Sequence, residues 1–167
     1  EDDYYTGLSY DDAPRIEITW TMGSSSDEFL SAIRFSKVDV PQGASVNNGR
    51  LIITPTGTAE TPVTLKIALE DSSKAPILTE SSNDLSRRSR SNSLNVTIAA
   101  GAWLSGKPVE IDVSSLLNEH FKRADWCSGD FVFLIESVGA AHYIATTETE
   151  SDPQLTIDYD TAGVAAG

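Results

Sequence analysis

The chain has 167 residues, which is the size of one domain, and its 40% hydrophobic and 22% charged content is typical of a folded globular protein. The net charge of −13 disfavours nucleic-acid and membrane-surface binding, because phosphates and anionic lipids would be repelled. The longest apolar run, 131–135, is far shorter than the roughly 20 residues that membrane insertion needs. We predict one domain over 1–160 and a disordered tail of small residues at 161–167.

Apolar residues at every second position predict β-strands along most of the chain. The first example is 16–22, where isoleucine, tryptophan and methionine share one face. Residues 131–135 are apolar at every position, which is typical of a central strand covered on both faces. The same alternation recurs at 33–35, 51–53, 63–69, 94–98, 109–113, 143–147 and 155–159.

The alternation changes parity after Phe35, since Val38 and Val40 follow on the opposite set of positions. This change predicts a β-bulge or a strand end between Phe35 and Val38. The residues Pro41 to Gly43 then predict a turn.

Residues 114–124 break the two-residue period and predict one helix of about three turns. Leu117, Phe121 and Ala124 recur at helical spacing, and Ser114 or Ser115 is expected to cap the first turn. Because strands do not alternate with helices, a parallel α/β sheet is excluded. The pattern predicts an all-β, antiparallel β-sandwich of nine to ten strands, with a jelly roll as the best architecture.

The segment 70–93 is long, charged and rich in serine, so we expect a functional or mobile loop. It ends in Arg87, Arg88 and Arg90, the only basic cluster of the chain. Arginine forks match carboxylates, including those of uronic acids, which makes these residues candidate ligands for an acidic polysaccharide. The alternative is that they pair with the protein's own acidic surface.

Four segments in this order resemble a known type of module: FSKVDVPQGASV at 35–46, SRRSRS at 86–91, the strand, helix and buried strand of 111–135, and DPQLTIDY at 152–159. The order is similar to that of secreted, mostly microbial β-sandwich modules related in plan to jelly-roll carbohydrate-binding modules of the DNRLRE type. The resemblance implies an extracellular or cell-surface, non-catalytic module and names no ligand. Cys127 departs from the small residue expected at its position.

Catalytic arrangements are weakly indicated. Cys127 lies close in sequence to His120, but Asp125 and Asp130 flank the cysteine and would raise the pKa of its thiol, which disfavours a nucleophilic pair. Paired carboxylates such as Glu148 and Glu150 are more simply a solvated strand face than a glycosidase site. We therefore expect no enzymatic activity.

Acidic residues at both ends of the chain suggest a calcium site. If the first and last strands pair, Asp11 and Asp12 lie near Asp160, and a hard cation would relieve the repulsion of their carboxylates. Glu70 and Asp71 form a second candidate calcium site. The alternative is that salt screens these exposed acids without a metal.

Trp103, in a predicted turn, is the best candidate for an exposed ring that stacks on a sugar. The alternative is that its indole plugs one end of the sandwich. Asn95, Val96 and Thr97 form an N-glycosylation sequon, with Asn95 on the outward face of its strand.

Two hypotheses follow from the sequence. The first is an extracellular module that binds a polysaccharide or a surface glycan through Trp103 and the loop 87–90, stabilised by Ca²⁺. The second is a structural subunit of an extracellular filament or surface layer, which assembles with copies of itself through its termini.

Overall fold

A computed structural model of the chain describes residues 3–6, 16–17, 28–79, 84–145 and 152–161. The predicted tail beyond residue 161, the calcium ligands predicted at Asp11 and Asp12, and the carboxylates Glu148 and Glu150 lie outside the described residues. The strands and helices are, in chain order, β1 (Asp3–Thr6), β2 (Ile16–Glu17), β3 (Glu28–Val38), β4 (Ser45–Ile53), β5 (Val63–Glu70), α1 (Asp84–Arg87), β6 (Arg90–Ile98), β7 (Val109–Asp112), α2 (Ser114–Phe121), β8 (Gly129–Val138) and β9 (Gln154–Asp160).

Seven strands carry two antiparallel sheets. One sheet has the order β3-β8-β5-β6 and the other has the order β9-β4-β7. The short segments β1 and β2 extend these sheets at one edge each, β1 beside β9 and β2 beside β3. The predicted all-β class with antiparallel sheets is confirmed.

The main core lies between the two sheets. It is closed by α2 and includes large side chains without solvent contact, such as Leu51, Ile67, Leu117, Phe121 and Phe133. Alternation explains this burial, because every second side chain of a strand points to the same face.

Strand β8 is buried on both faces, as its continuous apolar run predicts. Phe131 and Phe133 face the main core, whereas Val132 and Leu134 lie in a second apolar cluster on the outer face of the sheet. That outer face is covered by the described residues 71–79 and 84–89, which we call the strap. The strap contributes Ala75, Leu78 and Leu85 to the second cluster. The segment predicted as a functional or mobile loop therefore packs on the sheet, and it contains α1.

Two local predictions are confirmed. The ladder between β3 and β8 shifts register between Phe35 and Val38, where Lys37 has φ of 57°. The turn at Pro41 to Gly43 is also present, and Gly43 has φ of 83°, a left-handed conformation that glycine adopts without strain.

The boundaries and the cap of the helix differ from the prediction. α2 ends at Phe121 rather than Ala124, and no side chain caps its first turn. The Ser114 hydroxyl instead donates to Asp112 Oδ1 at 2.7 Å and accepts the Gly49 N–H at 2.8 Å. The serine thus joins the helix to β4 through Gly49, and its bonds to Gly49 and to the neighbouring Asp112 replace the capping bond.

The described residues contain seven strands besides the edge segments β1 and β2, whereas nine to ten strands were predicted. Within the predicted strand 143–147, the described part contains only an isolated bridge between Ile144 and Pro55. Of the predicted strand 16–22, the described part is β2. Neither α1 nor α2 is long and apolar enough to cross a membrane, and the described part of the chain contains no other helix.

Antiparallel pairing sorts the connections to two ends of the sandwich. We call one end the loop end, formed by residues 54–62, 99–108 and 139–145, which follow β4, β6 and β8. The opposite end, which we call the helix end, contains residues 39–44, the strap and α2 with its flanks.

Candidate functional site

Hydrogen bonds between backbones join the three connections of the loop end into one surface. Thr56 N–H donates to the Tyr143 carbonyl at 3.0 Å, and Gly106 N–H donates to the Pro55 carbonyl at 2.8 Å. A further bond of 2.9 Å runs from the Ala59 N–H to the Trp103 carbonyl. Because residues 54–62 bond to both neighbouring connections, the loop end is an organised surface rather than three separate loops.

Exposed apolar side chains concentrate at the loop end. Among the described residues, the large hydrophobic side chains that stay exposed are Leu104, Val138, Tyr143 and Ile77. The first three border the loop end, and Tyr143 is 53% exposed. A tyrosine presents an apolar ring with a polar tip, which is suited to contact with a ligand that has both apolar and hydroxyl groups. Tyr143 was not predicted as a binding residue, because the alternation at 143–147 placed it in a strand.

Hydroxyl groups accompany the apolar side chains of the loop end. Thr56 and Thr58 are exposed, and the Ser105 hydroxyl donates to the Thr56 carbonyl at 3.1 Å. Thr58 Oγ1 accepts the Ser105 N–H at 3.1 Å. These bonds join residues 54–62 to residues 99–108 through side chains as well as backbones.

The prediction that Trp103 exposes its ring is wrong. Its side chain is 2% exposed, and its ring centroid lies 5.4 Å from that of His142. The indole closes the core at the loop end, as the alternative interpretation held. Burial lowers the pKa of His142 below its ordinary value, so the imidazole on top of Trp103 is neutral at pH 7. Trp103 therefore packs in the core beneath the loop end and is not part of its exposed surface.

The arginine cluster is divided by its surroundings. The Arg88 side chain is 5% exposed and bonds to Glu70 at 2.7 Å and to Asp84 at 3.1 Å. It also donates to the carbonyls of Pro76 and Ile77. Arg88 is therefore committed to holding the strap, which corrects its assignment as a ligand contact.

Charge pairing explains the titration of this group. Burial by itself would lower the pKa of Arg88, but the hydrogen bonds to Glu70 and Asp84 outweigh it and raise the pKa. Burial by itself would raise the pKa of Asp84, but the hydrogen bonds from the Thr79 N–H and from Arg88 outweigh it and lower the pKa. Arg88 and Asp84 both stay charged at neutral pH.

The other two arginines have different neighbours. Arg90 lies 3.3 Å from Glu136, in agreement with the alternative of internal pairing. Arg87 is exposed and makes no ion pair with the described residues. Both precede or begin β6, whereas Trp103 follows it, and nine residues of strand span about 30 Å. The structure thus does not bring Trp103 and the arginines into one site.

The candidate calcium ligands Glu70 and Asp71 lie in ion pairs with arginines. The Glu70 carboxylate is paired with Arg88, and Asp71 is paired with Arg123. The first described strand does pair with the last, since Asp3 lies opposite Tyr159, and Asp160 lies opposite Ser45. Across the described ranges, no three side chains of the histidine, cysteine, aspartate and glutamate types group as a metal site would require.

His120 and Cys127 do not form a pair. Cys127 is exposed, whereas His120 is 3% exposed and packs against the rings of Trp126 and Phe131, with centroids at 5.0 Å and 5.5 Å. Burial lowers the pKa of His120 to about 4. A neutral histidine inside an aromatic cluster contributes to packing rather than to activation of a thiol.

Comparison with models of protein families finds no match to this chain, and comparison with curated proteins finds none either. The loop end is therefore interpreted from its own geometry: its three connections are hydrogen-bonded to one another and carry the exposed Tyr143 together with exposed apolar and hydroxyl side chains.

Proposed function

We propose that the protein is a non-catalytic, extracellular jelly-roll module that binds carbohydrate through its loop end. The observation that carries this proposal is the exposed Tyr143 at a loop end whose three connections are hydrogen-bonded to one another and whose Trp103 is buried. The resemblance in plan to carbohydrate-binding modules favours a non-catalytic, extracellular module.

The order of strands supports a jelly roll. In that fold an antiparallel ribbon is rolled so that its successive strand pairs alternate between two sheets. The pairs β1 with β9 and β4 with β7 lie in one sheet, and the pairs β3 with β8 and β5 with β6 lie in the other. Following the ribbon from the termini inward, the sheets alternate at each step.

The chemistry of the loop end fits a sugar ring. The C–H face of a pyranose packs on an aromatic ring, and its hydroxyl groups exchange hydrogen bonds with side-chain hydroxyls and backbone groups. Tyr143 supplies the ring, and Thr56 and Thr58 supply exposed hydroxyls on a connection that is hydrogen-bonded to that of Tyr143. The bonds that already hold these connections reduce the entropy lost when a ligand binds.

A glycan array with purified protein tests this proposal. Tyr143→Ala should weaken binding about tenfold, since truncating a central aromatic anchor costs more than about 1 kcal/mol. Ile77→Ala is the matched control, because Ile77 is also exposed but belongs to the helix end. Equal binding by both variants, or no glycan bound by the parent protein, would contradict the proposal.

The alternative is a structural subunit that assembles through its termini. This second function is favoured by the pairing of β1 with β9, which places β1 at the edge of a sheet beside the last strand. Negative-stain microscopy of concentrated protein should then show polymers, and deletion of residues 1–6 should abolish them. A monomer in both preparations would reject assembly and leave the binding function in place.

Calcium stabilisation by Asp11, Asp12 and Asp160 remains part of the proposal. At low salt, calcium should raise the melting temperature relative to a chelator, because a ligand that binds only the folded state stabilises it. An unchanged melting temperature would remove the metal from the proposal. The Arg87 guanidinium is retained as a possible second contact for an acidic glycan, tested by Arg87→Ala on the same array.

A further inference from the structure

The sequon formed by Asn95 and Thr97 lies in the middle of β6, on its outward face. Both side chains are exposed, whereas Leu94 before them and Val96 between them pack against the main core. The two outward residues are separated by two positions, so they lie on one face about 7 Å apart along the strand. The sequon is therefore displayed without any change in the fold.

The outer face of this sheet is divided into two halves. Over β3 and β8 it is apolar and lies under the strap. Over β5 and β6 it is polar, with Lys66 opposite Asn95 and Thr64 opposite Thr97 in the ladder. A group attached to Asn95 would extend from the polar half into solvent, so it would displace no packed side chain.

The amide of Asn95 differs from those of two other asparagines. The Asn92 amide donates to the Glu119 carboxylate, and the Asn118 amide donates to the Val46 and Ser114 carbonyls. The described part of the structure contains no hydrogen bond to the side chain of Asn95. Substitution of its nitrogen would therefore break no internal bond.

β6 is also an edge strand. Among the described residues it pairs with β5 alone, so its other side presents unpaired backbone groups. Such edges are prone to pairing with other chains, and natural proteins block them with bulky or charged groups. A glycan in the middle of β6 would shield this edge.

We propose that Asn95 carries an N-linked glycan. This inference rests on the extracellular location within the proposed function, and it is independent of which ligand the loop end binds. In the reaction, a bond forms between Asn95 Nδ2 and the anomeric carbon of a lipid-linked oligosaccharide. The bond from that carbon to the pyrophosphate oxygen breaks, the lipid pyrophosphate leaves, and the amide nitrogen loses one proton.

The test is expression of the full chain through the secretory pathway of a yeast, followed by intact-mass spectrometry. We expect an added mass that peptide-N-glycosidase removes, with conversion of the linked asparagine to aspartate at position 95. Thr97→Ser should keep the glycan, whereas Asn95→Gln and Thr97→Val should abolish it. Thr97→Val retains a β-branched side chain in the strand, so it separates loss of the sequon from loss of the fold.

Two results would overturn the inference. One is secreted, folded parent protein without added mass. The other is a glycan that the glycosidase removes only after denaturation, since the exposed position predicts removal from the folded protein. Failure of glycan-array binding would leave this inference standing, because the array reads the loop end and the mass measurement reads β6.

Discussion

Acidification should destabilise the protein through His120. Its side chain is 3% exposed and lies among the rings of Phe121, Trp126 and Phe131. Burial, and secondarily the positive charge of Arg123, lower its pKa from 6.5 to about 4. The folded protein therefore holds a neutral imidazole at pH values where the unfolded chain is protonated.

The sign and size of the effect follow from this difference. Because the unfolded state binds the additional proton, stability is complete above pH 6.5 and is lost as the pH falls towards 4. A difference of 2.5 pKa units corresponds to about 3 kcal/mol in total, and about 2 kcal/mol of this is already lost at pH 5. The carboxylates with lowered pKa values, Asp84, Asp112 and Asp125, titrate below this window.

The assay is chemical denaturation at pH 7, 6 and 5 for the parent and for His120→Phe. The phenyl ring keeps the aromatic cluster and cannot titrate, so the variant should lose about 2 kcal/mol less than the parent between pH 7 and pH 5. Burial also lowers the pKa of His142, so both proteins are compared again with His142→Gln. Equal losses in the parent and in His120→Phe would refute the reasoning.

Two further substitutions test packing and charge. Gly49→Ala should lower the free energy of unfolding by about 1–3 kcal/mol, since a Cβ there would lie 2.6 Å from Leu117 Cδ1. Gly57→Ala, whose Cβ meets nothing within 4 Å, should change this free energy by less than about 0.5 kcal/mol. Equal midpoints in denaturant would contradict this. Arg88→Met should cost about 3–5 kcal/mol because it leaves two carboxylates without their cation, while the exposed Arg87→Met should be nearly neutral; similar melting curves for these two variants would reject a structural role for Arg88.

The strands of the main core were predictable because their signal is local. Residues 63–69 and 155–159 alternate along the chain, and burial of one face requires this period. The apolar run 131–135 also predicted a strand covered on both faces, and the bulge after Phe35 followed from the change in parity. These features depend on residues that are neighbours in sequence.

The ends of the sandwich were less predictable, because their contacts join residues far apart in sequence. Trp103 lies in a turn, which favours exposure, yet it is covered by His142 from another connection. Arg88 lies in a basic, serine-rich segment, yet its partner Glu70 and the carbonyls of Pro76 and Ile77 surround it. In both cases tertiary packing overrode the local composition.

The amino-acid sequence by itself determined the all-β class, the antiparallel sheets and most core positions, because period-two alternation is a property of each strand alone. Only the tertiary structure decided which side chains at the ends of the sandwich are exposed. The contacts between separate connections leave Tyr143 exposed and enclose Arg88. Exposure at the ends of a sandwich depends on the contacts between separate connections, and no single segment of the sequence determines those contacts.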